Sequence, residues 1–162
     1  MRLLPQDPHP RLILHTDGAA RGNPGPAGIG AVLTDGSGRT VATLAEGIGV
    51  ATNNQAEYRA VIEGLRLAAE RGARRVLVRS DSKLLVEQLA GRFRVKNPTL
   101  QRLHQEVRAL VRSFDRVNFE HVRRGENADA DALANEGVDA WLDGPGRDHE
   151  PADPRPPELF EE

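Results

Sequence analysis

Residues 11–50 of this chain are RLILHTDGAARGNPGPAGIGAVLTDGSGRTVATLAEGIGV. The first run, RLILHTD, is rich in branched apolar side chains and predicts a strand that ends at Asp17. Two further runs, GIGAVLTD and RTVATLAEGIGV, flank DGSG, which is a strong signal for a β-hairpin. Strands joined by short turns pair antiparallel, so this stretch predicts the antiparallel half of a sheet.

The glycine-rich part of this stretch, TDGAARGNPGPAGIG at residues 16–30, raises the question of a phosphate-binding loop. It lacks the Lys-Ser/Thr end of a nucleotide P-loop and no helix follows it, so that function is excluded. Its glycines and prolines instead reverse the chain and keep bulk away from an approaching ligand. Asp17 then has two interpretations, a functional carboxylate or a turn former before Gly18.

Beyond residue 50 the spacing of apolar residues changes from that of a strand to that of a helix and back. An amphipathic helix beginning near Asn54 and closed by Gly72 is followed by the strand RRVLVRS and the short helix SKLLVEQLAG. A helix starting near Pro98, the strand RVNFEHV and a last helix complete the order βββαβααβα. This order predicts an α/β fold, one mixed sheet with helices against its faces. Ligands of such sheets lie at the carboxyl ends of parallel strands.

Composition limits the class of protein. The 162 residues, 38% of them hydrophobic, fit one domain with a sizeable core, and no apolar run predicts a membrane span. There is no cysteine, which excludes disulfides and thiolate metal sites and favours a cytoplasmic protein. We expect a monomer, a flexible leader at residues 1–10, a folded domain at residues 11–142 and a disordered, acidic, proline-rich tail at residues 143–162.

The net charge of −2 is unevenly distributed. The tail carries seven acids and two arginines, a balance of −5, which leaves +3 for residues 1–142. Within that body, residues 91–124 hold nine basic and three acidic side chains. A basic segment of this kind is compatible with a phosphate-rich partner, and equally with a solvated surface rich in arginine.

Four carboxylates occupy positions where a site is expected. Asp17 and Asp81 each end a predicted strand, and parallel pairing of those strands would bring both acids to one edge of the sheet. Glu57 lies in the first turn of the helix that follows the hairpin. Asp131 lies at the start of the last helix, where Asp129 is its competitor.

Each acid also has a local explanation. Asp81 is placed to cap a helix, and Asp131 is placed where the helix dipole favours an acid. For Glu57, the pattern NQAE predicts a capping box with Asn54 as the N-cap. The combination favours a metal site, because clustered acids repel and are usually neutralised by hard cations. An all-oxygen set suits Mg²⁺ or Mn²⁺, and two such ions can promote phosphodiester hydrolysis.

Four motifs in order carry a resemblance to a known family. The segments TDGAARGNPGPAGIGAVL, TNNQAEYRAVIEGL, VRSDSKLLVEQLAG and ADALANEG resemble those of ribonuclease H, type 1, over about residues 11–142. The resemblance implies a five-stranded mixed sheet of order 3-2-1-4-5 and endonucleolytic hydrolysis of the RNA strand of RNA–DNA hybrids. It also implies two bound Mg²⁺ ions, with Mn²⁺ as an alternative. The family's metal-binding and catalytic carboxylates map onto Asp17, Glu57, Asp81 and Asp131.

The resemblance further implies contacts to the hybrid. The motif TNN points to Thr52, Asn53 and Asn54, and Asn23 and Gln55 are expected on the same surface. Amides and backbone at a helix start can bond 2′-hydroxyls in a wide minor groove. Ser82, next to Asp81, is either a substrate contact or a helix cap.

Two departures from the family pattern concern the substrate. A basic helical insertion present in many members is replaced here by AGRFRVKNPT, in which Arg94 and Lys96 are either a smaller phosphate grip or solvated cations. The mobile histidine that some members place before the last helix is absent. We interpret His121 as structural, and Arg123 or Arg124 takes the corresponding position.

Two other functions remain open at this point. A non-cleaving hybrid-binding module would carry the same motifs, and a related metal-dependent nuclease would use the same carboxylates. The acidic tail either docks a DNA replication or repair partner or aids solubility.

Overall fold

Five strands form one sheet in the computed structural model, which describes residues 11–147. The strands are β1 (Arg11–Ala20), β2 (Gly25–Thr34), β3 (Thr40–Ala51), β4 (Arg75–Ser80) and β5 (Arg116–His121). The helices of this range are α1 (Asn53–Glu70), α2 (Lys83–Leu89), α3 (Pro98–Val111) and α4 (Ala128–Asp143), with a 3₁₀ turn at Arg124–Asn127. The expected leader and residues 148–162 of the expected tail lie outside the described residues.

The sheet is mixed, with the strand order β3-β2-β1-β4-β5. β1 pairs antiparallel with β2, and β2 pairs antiparallel with β3. β1 and β5 both pair in parallel with β4. The predicted fold class, strand order and antiparallel first half are therefore confirmed. Short turns connect the antiparallel strands, whereas helices connect the parallel ones.

Helices cover the two faces of the sheet unequally. α1 packs against β1, β2 and α3, and its apolar side encloses the main core around Leu14, Leu33 and Leu65. α4 packs against β2 and β3 on the other face. The close approach of α4 depends on Gly30 of β2, where a Cβ atom would overlap the backbone of Ala130. The start of α4 is thereby held near the centre of the sheet.

The turns follow the sequence signals. In the β2–β3 hairpin, the Asp35 carboxylate accepts hydrogen bonds from the backbone N–H groups of Ser37 and Arg39, at 2.9 and 3.0 Å. α1 ends before Gly72, whose φ of +77° is the left-handed conformation that glycine adopts without strain. No helix within residues 11–147 is long and apolar enough to cross a membrane.

Candidate active site

Asp17 and Asp81 lie at the same edge of the sheet. β1 pairs with β4 only as far as His15, although it continues to Ala20 in its pairing with β2. The prediction that the strand ends at Asp17 was therefore wrong, because β2 extends the ladder beyond it. Asp81 follows directly after the last residue of β4. Asp17 consequently stands where β1 extends past β4, beside the position that Asp81 occupies.

Glu57 comes to this edge from the first turns of α1. The N-cap of α1 is Thr52, whose Oγ1 accepts from Gln55 N at 3.2 Å, and Gln55 Oε1 accepts from Thr52 N at 3.0 Å. The predicted capping box, with Asn54 as the N-cap and Glu57 at N3, was therefore wrong. The helix begins earlier than expected because Thr52 and Gln55 already form a complete reciprocal cap. The Glu57 carboxylate is thus left available to the site.

A close contact between β1 and α1 brings Glu57 to Asp17. A Cβ atom at Gly18 would overlap the backbone of Ala56 and Glu57, so only glycine permits this approach. One carboxylate oxygen from each of Asp17, Glu57 and Asp81 lies within 4.8 Å of the others. Asp17 and Glu57 are each only 5% exposed.

Asp131 reaches the same place from α4. It lines a pocket of about 520 Å³ together with Asp17, Glu57 and Asp81, and its carboxylate is within hydrogen-bonding reach of Asp17. Asp129, its competitor in the sequence, lines a different cavity of about 290 Å³. The first turn of α4 therefore directs Asp131, and not Asp129, toward the three clustered acids.

Burial and mutual repulsion raise the pKa values of Asp17, Glu57 and Asp81. Burial and a hydrogen bond donated to Asp131 raise the pKa of Asp17 to about 7. Burial, followed by the charge of Asp17, raises the pKa of Glu57 well above its usual range. Burial also raises the pKa of Asp81, while the guanidinium of Arg124 acts in the opposite direction. The site thus stores electrostatic repulsion that a cation would relieve.

The donor set fits a hard divalent cation. The Oε2 atom of Glu57 is buried and has no hydrogen-bond partner, which is costly for a carboxylate oxygen. Its nearest charged neighbours are the other acids, so a cation is the partner that would satisfy it. Oxygen-only ligands are typical of Mg²⁺ and Mn²⁺. Asp17, Glu57 and Asp81 can therefore hold a metal ion.

Several predicted substrate contacts surround the acids. Asn53, Ser82 and Arg124 line the carboxylate pocket, and Arg124 is the positively charged side chain among the described residues that line it. Ser82 also caps α2, since its Oγ accepts from Leu85 N at 3.2 Å. Arg123 is exposed and does not line the pocket.

The other residues predicted to contact the hybrid around the TNN motif lie at the start of α1 and stabilise it. Asn23 Oδ1 accepts from the backbone N–H of Asn53 at 2.8 Å, which joins the β1–β2 loop to the helix. Thr52 is buried in the cap and pairs with Gln55, whereas Asn54 is half-buried. These residues form the wall beside the acids, and Asn53 is the member that opens into the pocket.

Arg94 and Lys96 lie apart from the acids. They line a shallow depression of about 650 Å³ together with Leu84 and Phe93, whose side chain is 48% exposed. The segment that replaces the family's basic insertion therefore presents two cations beside an exposed aromatic ring. Such a combination is typical of surfaces that contact nucleic-acid strands.

Asn127 contacts the site, and no sequence motif singled it out. It is 1% exposed, its Nδ2 donates to the Thr16 carbonyl at 2.8 Å, and it also donates to the Asp81 carboxylate. The 3₁₀ turn is thereby fixed to β1 and to Asp81, which follows β4. No local signal identifies this role, because the partner carbonyl is 111 residues away along the chain.

A second missed residue, Asn135, also lines the pocket. Its Nδ2 donates to the Asp131 carbonyl at 3.0 Å, and it accepts from Arg21 in the β1–β2 loop. Arg21 in turn pairs with Asp139 at 2.7 Å. These bonds hold the glycine-rich loop against α4.

A mixed sheet of this order, with acids converging at the ends of β1 and β4 and at the starts of α1 and α4, defines a ribonuclease H-like domain. A family model described as Reverse transcriptase-like matches residues 15–137. The chain is 46% identical to ribonuclease HI of Halobacterium salinarum over 129 residues, which are 80% of this chain and 65% of that protein. The chain belongs to the type 1 ribonuclease H family.

Other relatives extend this result. The bifunctional protein Rv2228c of Mycobacterium tuberculosis is 46% identical over 143 residues, 88% of this chain and 39% of that protein. The chain thus spans about two fifths of the length of Rv2228c. Among solved structures, that of the H. salinarum RNase H1 matches with a TM-score of 0.79 and covers 80% of this chain and 98% of its own. LC11-RNase H1 in complex with an RNA/DNA hybrid is 42% identical, with a TM-score of 0.78 over 81% of this chain and 99% of its own.

Proposed function

We propose that this protein is an endoribonuclease that hydrolyses the RNA strand of RNA–DNA hybrids with the help of divalent metal ions. The observation that carries the proposal is the cluster of Asp17, Glu57 and Asp81, whose oxygens lie within 4.8 Å of one another around a buried oxygen without a partner. The 42% identical relative seen in complex with an RNA/DNA hybrid supports the substrate class.

Two Mg²⁺ ions, or Mn²⁺ in their place, would be held by Asp17, Glu57, Asp81 and Asp131. Ions held by these acids would neutralise their charge, and the chemistry they would supply is activation of a water molecule and stabilisation of the leaving oxygen of a phosphodiester. Attack by water in line with the leaving 3′ oxygen gives 5′-phosphate and 3′-hydroxyl ends. The acids must be ionised to bind cations, so the raised pKa of Asp17 implies activity that increases as the pH passes through about 7.

The residues around the acids would recognise the RNA strand. Asn53 and Ser82 line the pocket and offer an amide and a hydroxyl to 2′-hydroxyls of the wide minor groove. The guanidinium of Arg124 would stabilise negative charge beside the acids. Asn23, Thr52, Asn54 and Gln55 hold Asn53 in place from the loop and the helix cap, or extend the contact surface.

The DNA strand would lie on the depression formed by Arg94 and Lys96. Its cations pair with phosphates and the exposed Phe93 ring packs against a sugar or base. We further propose that the protein acts as a monomer in the cytoplasm. A replication or repair partner remains a proposal of the sequence alone.

A substrate panel tests the function. RNA–DNA hybrid, double-stranded RNA, single-stranded RNA and DNA with a single ribonucleotide are each incubated with Mg²⁺ and with Mn²⁺. We expect cleavage of the RNA strand of the hybrid, no cleavage of single-stranded RNA, and no product when the metal is chelated. Hybrid binding without any product would instead favour a non-cleaving hybrid-binding module.

A further inference from the structure

A groove on the other side of α2 shares no lining residue with the carboxylate pocket. It has a volume of about 460 Å³ and lies between α3, the end of α2 and the edge strand β5. Its floor includes Val111, Val117 and Phe119, all half-buried, and three arginines stand at its rim. The groove therefore combines an apolar floor with a basic rim.

The floor is continuous with the core. Val117 and Phe119 pack against the main apolar cluster, yet each keeps part of its side chain accessible from the groove. β5 pairs with β4 and has no strand on its other side within the described part of the chain. A ligand in the groove would cover apolar surface and approach the free edge of β5.

The rim is only partly neutralised. Arg92 makes a bidentate pair with Glu87, at 2.6 and 2.9 Å. Arg108, on the last turn of α3, and Arg112, directly after the helix, make no ion pair with any residue from 11 to 147. Two unpaired guanidinium groups above apolar side chains suit a ligand that is both acidic and hydrophobic.

We propose that this groove binds residues 158–162 of the same chain, the segment ELFEE. Leu159 and Phe160 are the only large apolar side chains after Leu142, and three glutamates flank them. The segment thus has the composition that the groove complements, apolar side chains for the floor and carboxylates for Arg108 and Arg112. The proposal assigns the acidic tail an intramolecular role, and it does not depend on the proposed hydrolysis.

The chain is long enough to make this contact. The end of α4 lies over β3, where Trp141 packs on Gly47, whereas the groove lies beside β5 at the other edge of the sheet. Four strand spacings separate the two edges, about 19 Å, and the row of Phe119 lies five residues along the strands from the row of Gly47, which adds about 17 Å at right angles. From Arg147 to Glu158 the chain has eleven residues, four of them proline. In the extended conformation of proline-rich chains these span about 34 Å, which exceeds the ~25 Å that separate the two points in the plane of the sheet.

The absence of cysteine allows a direct test on the full chain. A nitroxide is attached to the single cysteine of P157C, next to the segment and outside it, and amide intensities are compared before and after reduction of the label. We expect the amides of Val111, Arg112 and Phe119 to lose most of their intensity in the oxidised state. Loss confined to the end of α4 and to β3, where the tail begins, would overturn the proposal.

Two variants and a matched control examine the groove itself. R108E/R112E and L159S/F160S should each abolish the loss of intensity at the groove, whereas R59E/R71E, with the same change in charge on exposed arginines of α1 and its end, should retain it. L159S/F160S leaves the described domain unchanged, so its result does not depend on the folding of a groove variant. Persistence of the loss in either groove or tail variant would contradict the proposal.

A mixture of ¹⁵N-labelled protein without nitroxide and ¹⁴N protein with nitroxide distinguishes one chain from two. Intramolecular docking predicts no loss of intensity in this mixture. Equal loss in the mixture would identify a second copy of the chain as the occupant and overturn the intramolecular contact.

Discussion

The carboxylate pocket and the groove beside β5 carry unbalanced charge of opposite sign, and they differ in burial. Asp17 and Glu57 are withdrawn from water, and this burial, followed by repulsion between the acids, raises their pKa values and favours the binding of cations. The arginines of the groove remain exposed above an apolar floor, so solvent screens them and their attraction for acidic groups is weaker. Burial, and not charge alone, thus distinguishes a site built for chemistry from a surface suited to docking.

The largest expected effect is on the rate of cleavage, and it distinguishes an acid of the pocket from an acid just outside it. D17N should lower the rate of hybrid cleavage by about 10³-fold or more, a loss typical of removing a preorganised electrostatic group, while hybrid binding persists. D129N makes the same chemical change in the first turn of α4, on a residue that lines another cavity. We expect D129N to cleave at nearly the rate of the unaltered protein. Undiminished turnover by D17N in a single-turnover assay would refute the assignment.

The second effect concerns how far the buried acids destabilise the folded protein. Because the pKa values of Asp17 and Glu57 are raised in the folded protein, their contribution to stability is full below about pH 4. The contribution of Asp17 is lost as the pH rises through about 7. Metal-free D17N should therefore unfold at a temperature about 5 °C above that of the unaltered protein at pH 8, about 2 kcal/mol, with a smaller difference at pH 5.

Calorimetry with chelator and with millimolar Mg²⁺ provides the control for this effect. The metal should raise the midpoint of the unaltered protein more than that of D17N, and more at pH 8 than at pH 5. A midpoint that is independent of both pH and metal would mean that the acids do not repel one another as described.

The third effect tests how the pocket is fixed. N127A removes the bonds to the Thr16 carbonyl and to Asp81, leaving a buried acceptor without its donor. We expect kcat to fall about tenfold, equal to ~1.4 kcal/mol, with little change in KM. The exposed Asn118 of β5 gives a matched control, N118A. A fall in thermal stability without any change in kcat would assign Asn127 a purely structural role.

The fourth effect distinguishes two neighbouring arginines. Arg124 lines the pocket and lowers the pKa of Asp81, whereas Arg123 does neither. R124A should lower kcat/KM a few-fold and move the acidic limb of the pH profile to higher pH, because Asp81 then holds its proton more tightly. R123A should leave the profile in place. Equal shifts for both variants would contradict the placement of Arg124.

The smallest effect belongs to the groove. R108A/R112A should leave kcat for the hybrid within about twofold, since both residues lie outside the carboxylate pocket. A large loss of kcat in this variant would show that the groove and the carboxylate pocket are coupled. Their different burial would then not correspond to separate roles.

Local patterns predicted much of this molecule. Apolar runs rich in branched side chains and the DGSG turn indicated the antiparallel half, and strands separated by helices indicated the parallel half. The same patterns predicted Asp17 and Asp81 at one edge of the sheet. β1 continues to Ala20, yet its pairing with β4 stops at His15, so the two acids still lie beside each other. The motifs that resemble ribonuclease H supplied the strand order and the choice of Asp131 over Asp129.

The errors and omissions share a physical cause. NQAE and TNNQ both match a capping pattern, and the choice between Asn54 and Thr52 depends on which cap closes completely. Asn127 depends on a carbonyl in β1 that only the folded chain brings near. The groove arises where the end of α3 meets β5, and no single segment of sequence encodes that junction.

The central claim is that the buried acids support metal-dependent cleavage within the RNA strand. Its most direct test is a hybrid whose RNA strand is blocked at both ends and labelled internally, incubated with Mg²⁺ and analysed for the chemistry of its new ends. We predict internal cleavage that leaves 5′-phosphate and 3′-hydroxyl ends and ceases with chelator. No cleavage, release only from unblocked ends, or 2′,3′-cyclic phosphate products would contradict the claim.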